Sequence, residues 1–143
     1  MPLPPTGRAV GVDVGVARFA TTSDGEIIAN PRFLTTTQAR ITDLQRRKER
    51  AKRGSGNRRR LRRQLAREWR HVRNQRRDFH HKVARALVSD YGLIAVENLN
   101  VDGLAAGILA KSVHDAGWSQ FLRILTDKAS IGGISLSYYD QNR

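Results

Sequence analysis

Two short apolar segments, each carrying one acid, stand 84 positions apart in this chain, with Asp13 in the first and Glu97 in the second. The stretch between them carries nearly all of the chain's excess positive charge. From Arg46 to Arg85 there are 18 Lys and Arg against three acids, Glu49, Glu68 and Asp78, whereas the remainder holds 8 basic and 10 acidic residues. The formal charge of +13 is therefore the property of one insert rather than of the whole surface. Such a local concentration of Arg calls for a phosphate backbone as partner. The blander alternative is a solvated helical hairpin.

At 143 residues the chain has room for one compact domain plus this insert and not for two full domains. It contains no cysteine. A disulfide framework and a thiolate zinc site are thereby excluded, and no zinc is expected. Residues 1–6 form a short Pro-rich lead that lacks the charged and apolar regions of a signal peptide, and no apolar run approaches the ~20 residues of a membrane span. The expected location is cytoplasmic and nucleoid-associated, without a membrane partner.

From Ala9 to Thr22 the sequence AVGVDVGVARFATT alternates Val10, Val12, Val14 and Val16 with Gly11, Asp13 and Gly15. Period two predicts a strand with a Val face for packing and a Gly/Asp face, where two residues without side chains leave room for a metal ion or phosphate beside the carboxylate. Asp24-Gly25 is a hairpin signal, Glu26 to Ala29 returns as a second strand, and Pro31 to Leu34 is expected to start a short third one at the edge.

Thr35 to Thr37 offer N-cap hydroxyls for a helix carrying Ile41 and Leu44 and running toward Arg53, which Gly54-Ser55-Gly56 breaks. Between Asn57 and Tyr91, residues Leu61, Leu65, Trp69, Val72, Phe79, Val83 and Leu87 recur at helical steps, predicting one long amphipathic helix. Arg76 interrupts this stripe, so a kink or a solvent-lined patch is expected there. The result is a basic helical hairpin over residues 37–91. Its outer faces carry the candidate nucleic-acid contacts Arg58, Arg59, Arg60, Arg62, Arg63, Arg67, Arg70, Arg73 and Arg77, whose planar forks suit paired phosphate oxygens. Trp69 lies in register with the apolar stripe and is read as core rather than as a base-stacking platform.

Gly92 ends the helix, and Leu93 to Glu97 is a continuous apolar run of the kind found in buried parallel strands, with Glu97 at its carboxyl end. Asn98 to Gly103 form a loop. A further helix runs from Ser112 to about Ala129 with Trp118, Phe121, Leu122 and Leu125 on one face, and Ile134 to Tyr138 is the last strand. The order of three strands, a helical connection, a fourth strand, a helix and a fifth strand is that of a ribonuclease-H-like mixed sheet, with the Arg-rich hairpin inserted between strands three and four. There the first and fourth strands are neighbours. Asp13 and Glu97 would converge and could hold Mg²⁺ or Mn²⁺, the cations that stabilise attacking and leaving oxygens in phosphodiester hydrolysis.

Four blocks in this order, GVDVGVARFATTSDG (11–25), RRRLRRQLAREWRHVRNQRRDFHHKVARALV (58–88), IAVENLNVDGLA (94–105) and LAKSVHDAGWSQF (109–121), resemble the OrfB/TnpB transposases of insertion sequences. These are RuvC-like relatives of the compact type V CRISPR nucleases. The resemblance covers roughly residues 9–130. It implies an RNA-guided, metal-dependent DNA endonuclease, in which Asp13 and Glu97 match the first two catalytic acids and the basic helices lie against DNA and structured RNA.

The chain also departs from that pattern. Family members carry a recognition and wedge region before the first RuvC strand, and a Cys-rich zinc ribbon with a third catalytic Asp after the last. Neither is found in residues 1–143, which read as the central part of such a protein. Asp115 and Asp140 do not match the position of the third acid; Asp115 suits the first turn of a helix, and Asp140 a solvated terminus. With two acids the electrostatic clamp on the leaving oxygen is incomplete, so the isolated chain is expected to be a poor or inactive nuclease. The alternative is a nuclease-dead RNA- or DNA-binding remnant or regulator acting through the hairpin. An actin-like sugar kinase, which GVDVG could also serve, needs far more chain. None of the four His is given a catalytic role.

Overall fold

A computed structural model describes residues 7–15, 18–97 and 117–139. The expected loop Asn98 to Gly103, the start of the helix at Ser112, and both Asp115 and Asp140 lie outside the described residues. The protein is mixed α/β, with β1 (Ala9–Val14), β2 (Arg18–Thr22), β3 (Ile27–Ala29), α1 (Phe33–Arg50), α2 (Gly56–Asp90), β4 (Leu93–Glu97), α3 (Trp118–Gly132) and β5 (Ser135–Tyr139). It divides into two compact units, one of Met1–Pro31 with Arg77–Arg143 and one of Arg32–Arg76.

The first unit is built on a five-stranded sheet of order β3-β2-β1-β4-β5. β1 runs antiparallel to β2 and parallel to β4, and β4 runs parallel to β5. Alternation sets the faces: Val10, Val12, Val14, Ile94 and Val96 are buried, while Gly11, Asp13, Leu93, Ala95 and Glu97 are more open. The Val face packs into one core with Ala84, Leu87 and Val88 of α2 and Phe121, Leu125 and Ala129 of α3. Phe19 anchors that core, with Phe79 and Phe121 set edge-to-face against it at centroid distances of 4.9 Å each. His80 is fully buried beside the same rings, its ring stacked on Phe19.

Two turns of this unit are fixed by local chemistry. Between β2 and β3, Gly25 at φ 89° adopts the left-handed conformation that Asp24-Gly25 predicted, and its N–H donates to the Thr22 carbonyl. At the end of α3, Gly133 is left-handed, and the Ile134 N–H reaches back to the Ala129 carbonyl at 2.8 Å, a Schellman closure that buries Ile134.

In the second unit α1 and the first part of α2 form a helical hairpin closed by residues 51–55. Ile41 and Leu44 of α1 pack with Leu61, Leu65 and Val72 of α2, and Phe33, Leu34 and Trp69 cover that small core. Trp69 is thus a packing residue, as its place in the stripe predicted. Ser55 accepts the Arg58 N–H at 3.1 Å and so caps α2, while Arg40 and Glu68 form an ion pair at 2.7 Å.

Several expectations are corrected. The segment 9–22 is two antiparallel strands rather than one, so the Val/Gly alternation ends at Val14. Pro31 to Leu34 is not a strand: α1 already starts at Phe33, after Arg32 in a left-handed conformation at φ 54°. Nor do the Thr hydroxyls cap that helix. Thr36 and Thr37 lie inside it and donate back to the Phe33 carbonyl, the other habit of a hydroxyl in a helix.

Candidate functional site

The parallel register of β1 on β4 pairs Val10 with Ile94 and Val12 with Val96. One step further along both strands are Asp13 and Glu97, on the face opposite the Val core and at the carboxyl ends of the strands. Their carboxyl groups are close enough to act on each other. Desolvation pushes the Glu97 carboxyl up from its ordinary value, and hydrogen bonding with Asp13 and its negative charge push it the same way. Asp13 is exposed and Glu97 half-buried, so the pair is open to a ligand from solvent.

β5 adds a third group that the sequence did not single out. Tyr139 pairs with Glu97 in parallel register and therefore shares its face of the sheet. Its hydroxyl is raised above the ordinary phenol value by desolvation first and then by the charges of Asp13 and Glu97, which places it within their field. The signal was present, since Tyr139 closes the last strand, but which face it takes depends on a register that one strand cannot reveal.

The glycines around Asp13 behave differently from expectation. A Cβ on Gly11 would lie 3.7 Å from the Ser23 Cβ, and Ser23 Oγ accepts the Gly11 N–H at 3.0 Å. The space beside Gly11 thus belongs to the β2–β3 turn. At Gly15 a Cβ would come within 3.3 Å of the Arg18 carbonyl, so this glycine serves the passage from β1 to β2.

Two neighbouring carboxyls have the donor chemistry of a divalent-cation site, because a bound cation would offset the desolvation and the like-charge repulsion that raise Glu97. Among the described residues no group of three or more His, Cys, Asp or Glu is placed to hold a metal.

On the hairpin, Arg59, Arg63, Arg67, Arg70 and Arg73 are all exposed. Their steps of four, four, three and three put them on one face of α2, a stripe ~21 Å long at 1.5 Å per residue. Arg60 and Arg62 are exposed to either side of it, and Arg77 is exposed where α2 enters the first unit. Arg58 is only partly exposed, and its guanidinium donates to the Ala51 carbonyl at 3.3 Å, closing the turn of the hairpin.

The fold and site together define an α/β protein with an acid pair at the carboxyl ends of its parallel strands and a basic helical arm. Residues 1–106 match the OrfB family of IS605 elements, described as "Probable transposase". The chain belongs to this family. It is also similar to a Streptomyces pristinaespiralis protein named "Putative RNA-guided DNA endonuclease", at 36% identity over 141 residues, covering 98% of this chain and 35% of that protein. A second relative, "Putative RNA-guided DNA endonuclease InsQ" of Escherichia coli (strain K12), is 31% identical over 143 residues, covering 89% of this chain and 36% of its own length. The chain thus spans about a third of the length of these curated relatives. No helix among the described residues is long and apolar enough to cross a membrane.

Proposed function

We propose that this chain is the acid-bearing part of an RNA-guided DNA endonuclease of the transposase family, in which Asp13 and Glu97 hold Mg²⁺ or Mn²⁺ and the hairpin grips DNA and structured RNA. The observation that carries this reading is the meeting of two acids at the carboxyl ends of the neighbouring parallel strands β1 and β4, with the Glu97 carboxyl raised by burial and by Asp13. The sheet order β3-β2-β1-β4-β5, with only β2 antiparallel to its neighbours β1 and β3, supports a ribonuclease-H-like fold in which the hairpin is an insertion between β3 and β4. The names of the two relatives support the substrate and the guide.

When bound, the cation would supply charge stabilisation to a phosphodiester undergoing hydrolysis. The residues of the chain do the rest. Asp13 and Glu97 fix the position of that charge on a rigid pair of strands and would bind it as carboxylates. Tyr139 lies beside them as a hydroxyl donor, kept protonated by burial and by the charge of the acid pair. The Arg stripe of α2 supplies forks for backbone phosphates.

Incubation of supercoiled DNA and guide RNA with the chain and Mn²⁺, alongside Asp13→Ala, tests the cleavage step; equal nicking by both forms defeats it. Mn²⁺ binding, measured directly by calorimetry, tests the acid pair separately. Asp13→Ala is expected to abolish it. Metal and nucleic-acid binding without cleavage would select the alternative of a binding protein that acts through the hairpin.

A further inference from the structure

The turn of the hairpin holds a cleft of about 270 Å³ that the Arg stripe does not account for. Arg47 and Arg50 come from the last turn of α1, Asn57 and Arg60 from the start of α2, and Ala51 and Leu61 complete the lining. Each polar pair is spaced three residues apart, so each presents one helix face to the same space. We propose that this cleft seats one phosphate of a nucleic-acid strand, with Arg47, Arg50 and Arg60 as its charged donors and Ala51 and Leu61 as the apolar surface beneath the attached nucleoside.

Three features favour a ligand over a purely structural role. Arg47 and Arg50 are well placed to offset the negative end of α1, which would explain two of the three guanidinium groups. Arg60 has no such explanation. It follows directly on the first turn of α2, near the positive end of that helix, where the first turn holds no acidic residue and where Arg58 and Arg59 add like charge. An anion relieves this unfavourable concentration, and the first turn of α2 supplies none.

The second feature is that the guanidinium groups are little used within the protein. Arg50 makes no hydrogen bond or ion pair among the described residues. Arg47 reaches Asp43 only at 3.8 Å, with both side chains largely in solvent. The third is preorganisation: Arg60 donates to Asn57 Oδ1 at 2.8 Å, which fixes both side chains and leaves the Asn57 amide nitrogen as a further donor. The volume suits a single nucleotide better than a larger ligand.

The proposal rests on nucleic acid as the partner of the hairpin and is independent of the acid pair. Binding of the full chain to short single-stranded RNA and DNA, by fluorescence anisotropy over a range of salt, tests it with the variant Arg47→Lys/Arg50→Lys/Arg60→Lys. That variant keeps the formal charge, and with it the diffuse attraction, but loses the planar forks. Its affinity is expected to fall about tenfold, the equivalent of one charge-assisted hydrogen bond. An unchanged affinity overturns the phosphate seat while leaving the hairpin a general handle; failure of the unaltered chain to bind any strand defeats the nucleic-acid reading itself. Arg50→Lys alone, with far-UV circular dichroism of both variants, separates lost binding from lost folding. Comparison of strands with a 5′-phosphate and a 5′-hydroxyl assigns the source. A gain from the phosphate that the triple variant loses indicates a strand end, and equal binding indicates an internal phosphodiester.

Discussion

Asp13 and Glu97 stand on neighbouring parallel strands, one step beyond the paired Val12 and Val96, although 84 residues separate them in the chain. Desolvation first, and then hydrogen bonding with Asp13 and its negative charge, raise the Glu97 carboxyl above its ordinary value of 4.5. A carboxyl raised on folding binds more protons in the folded than in the unfolded state, so its contribution to stability is fully present below the unfolded value and is lost as pH rises through the folded one. Without divalent cations, the protein is therefore expected to lose stability on going from mildly acidic to neutral pH. Glu97→Gln should flatten that slope. Thermal unfolding against pH checks it, and an identical slope in both proteins would count against a raised Glu97 carboxyl.

A divalent cation bound by the two carboxylates reverses this behaviour. Mg²⁺ or Mn²⁺ at a hundredfold excess over its dissociation constant is expected to stabilise the chain by about 2.7 kcal/mol. The gain should shrink as pH falls through the raised Glu97 value, because proton and cation compete. Calorimetric titration at several pH values, with Asp13→Asn as control, measures both effects.

The Arg stripe predicts a salt dependence rather than a sequence preference. Replacing Arg59, Arg63, Arg67, Arg70 and Arg73 by Gln should reduce the slope of log affinity against log salt by about 0.7–0.9 for each arginine that contacts a phosphate. Affinity measured over a salt series with a single-stranded and a double-stranded substrate checks it.

Ser55 is expected to set the stability of the hairpin turn. Ser55→Ala removes the acceptor of the Arg58 N–H and should cost about 1 kcal/mol, whereas Ser55→Asp should retain the cap and favour the positive helix end. In the core of the sheet, Phe121→Ala should cost about 3–5 kcal/mol, because Phe121 is fully buried against Phe19. Denaturant unfolding of the three variants gives the comparison.

The parts of the fold that sequence made legible are those governed by local periodicity. The stripe from Leu61 to Leu87 forecast α2 to within a residue at each end, and the uninterrupted apolar run ending in Glu97 forecast β4. The first thirty-odd residues were less transparent. Five strands were expected and five occur among the described residues, yet for partly different reasons: residues 9–22 held two strands where one was read, and Pro31 to Leu34 held a helix start where an edge strand was read. Both errors have the same origin. The Val/Gly alternation of the sequence runs on past the end of β1 at Val14, and a helix with a left-handed Arg32 and no capping side chain gives no local signal of its beginning.

For the site, the acids were legible as residue types in the right kind of strand, while Tyr139 and the paired arginines of the hairpin turn were not. Their meeting depends on which strands become neighbours and how two helix ends face each other. Neither is encoded in a window of ten residues.

The pairing of β1 with β4 also fixes what kinds of length change this architecture can absorb. Extending the turn at residues 51–55 lengthens a solvent-exposed connection, for which the entropic penalty grows only logarithmically. One residue inserted between Leu93 and Val96 would rotate Glu97 into the apolar layer and point Val96 at Asp13. Long additions at the arm and none in the fourth strand are the pattern of insertions and deletions that such a scaffold permits as it diverges.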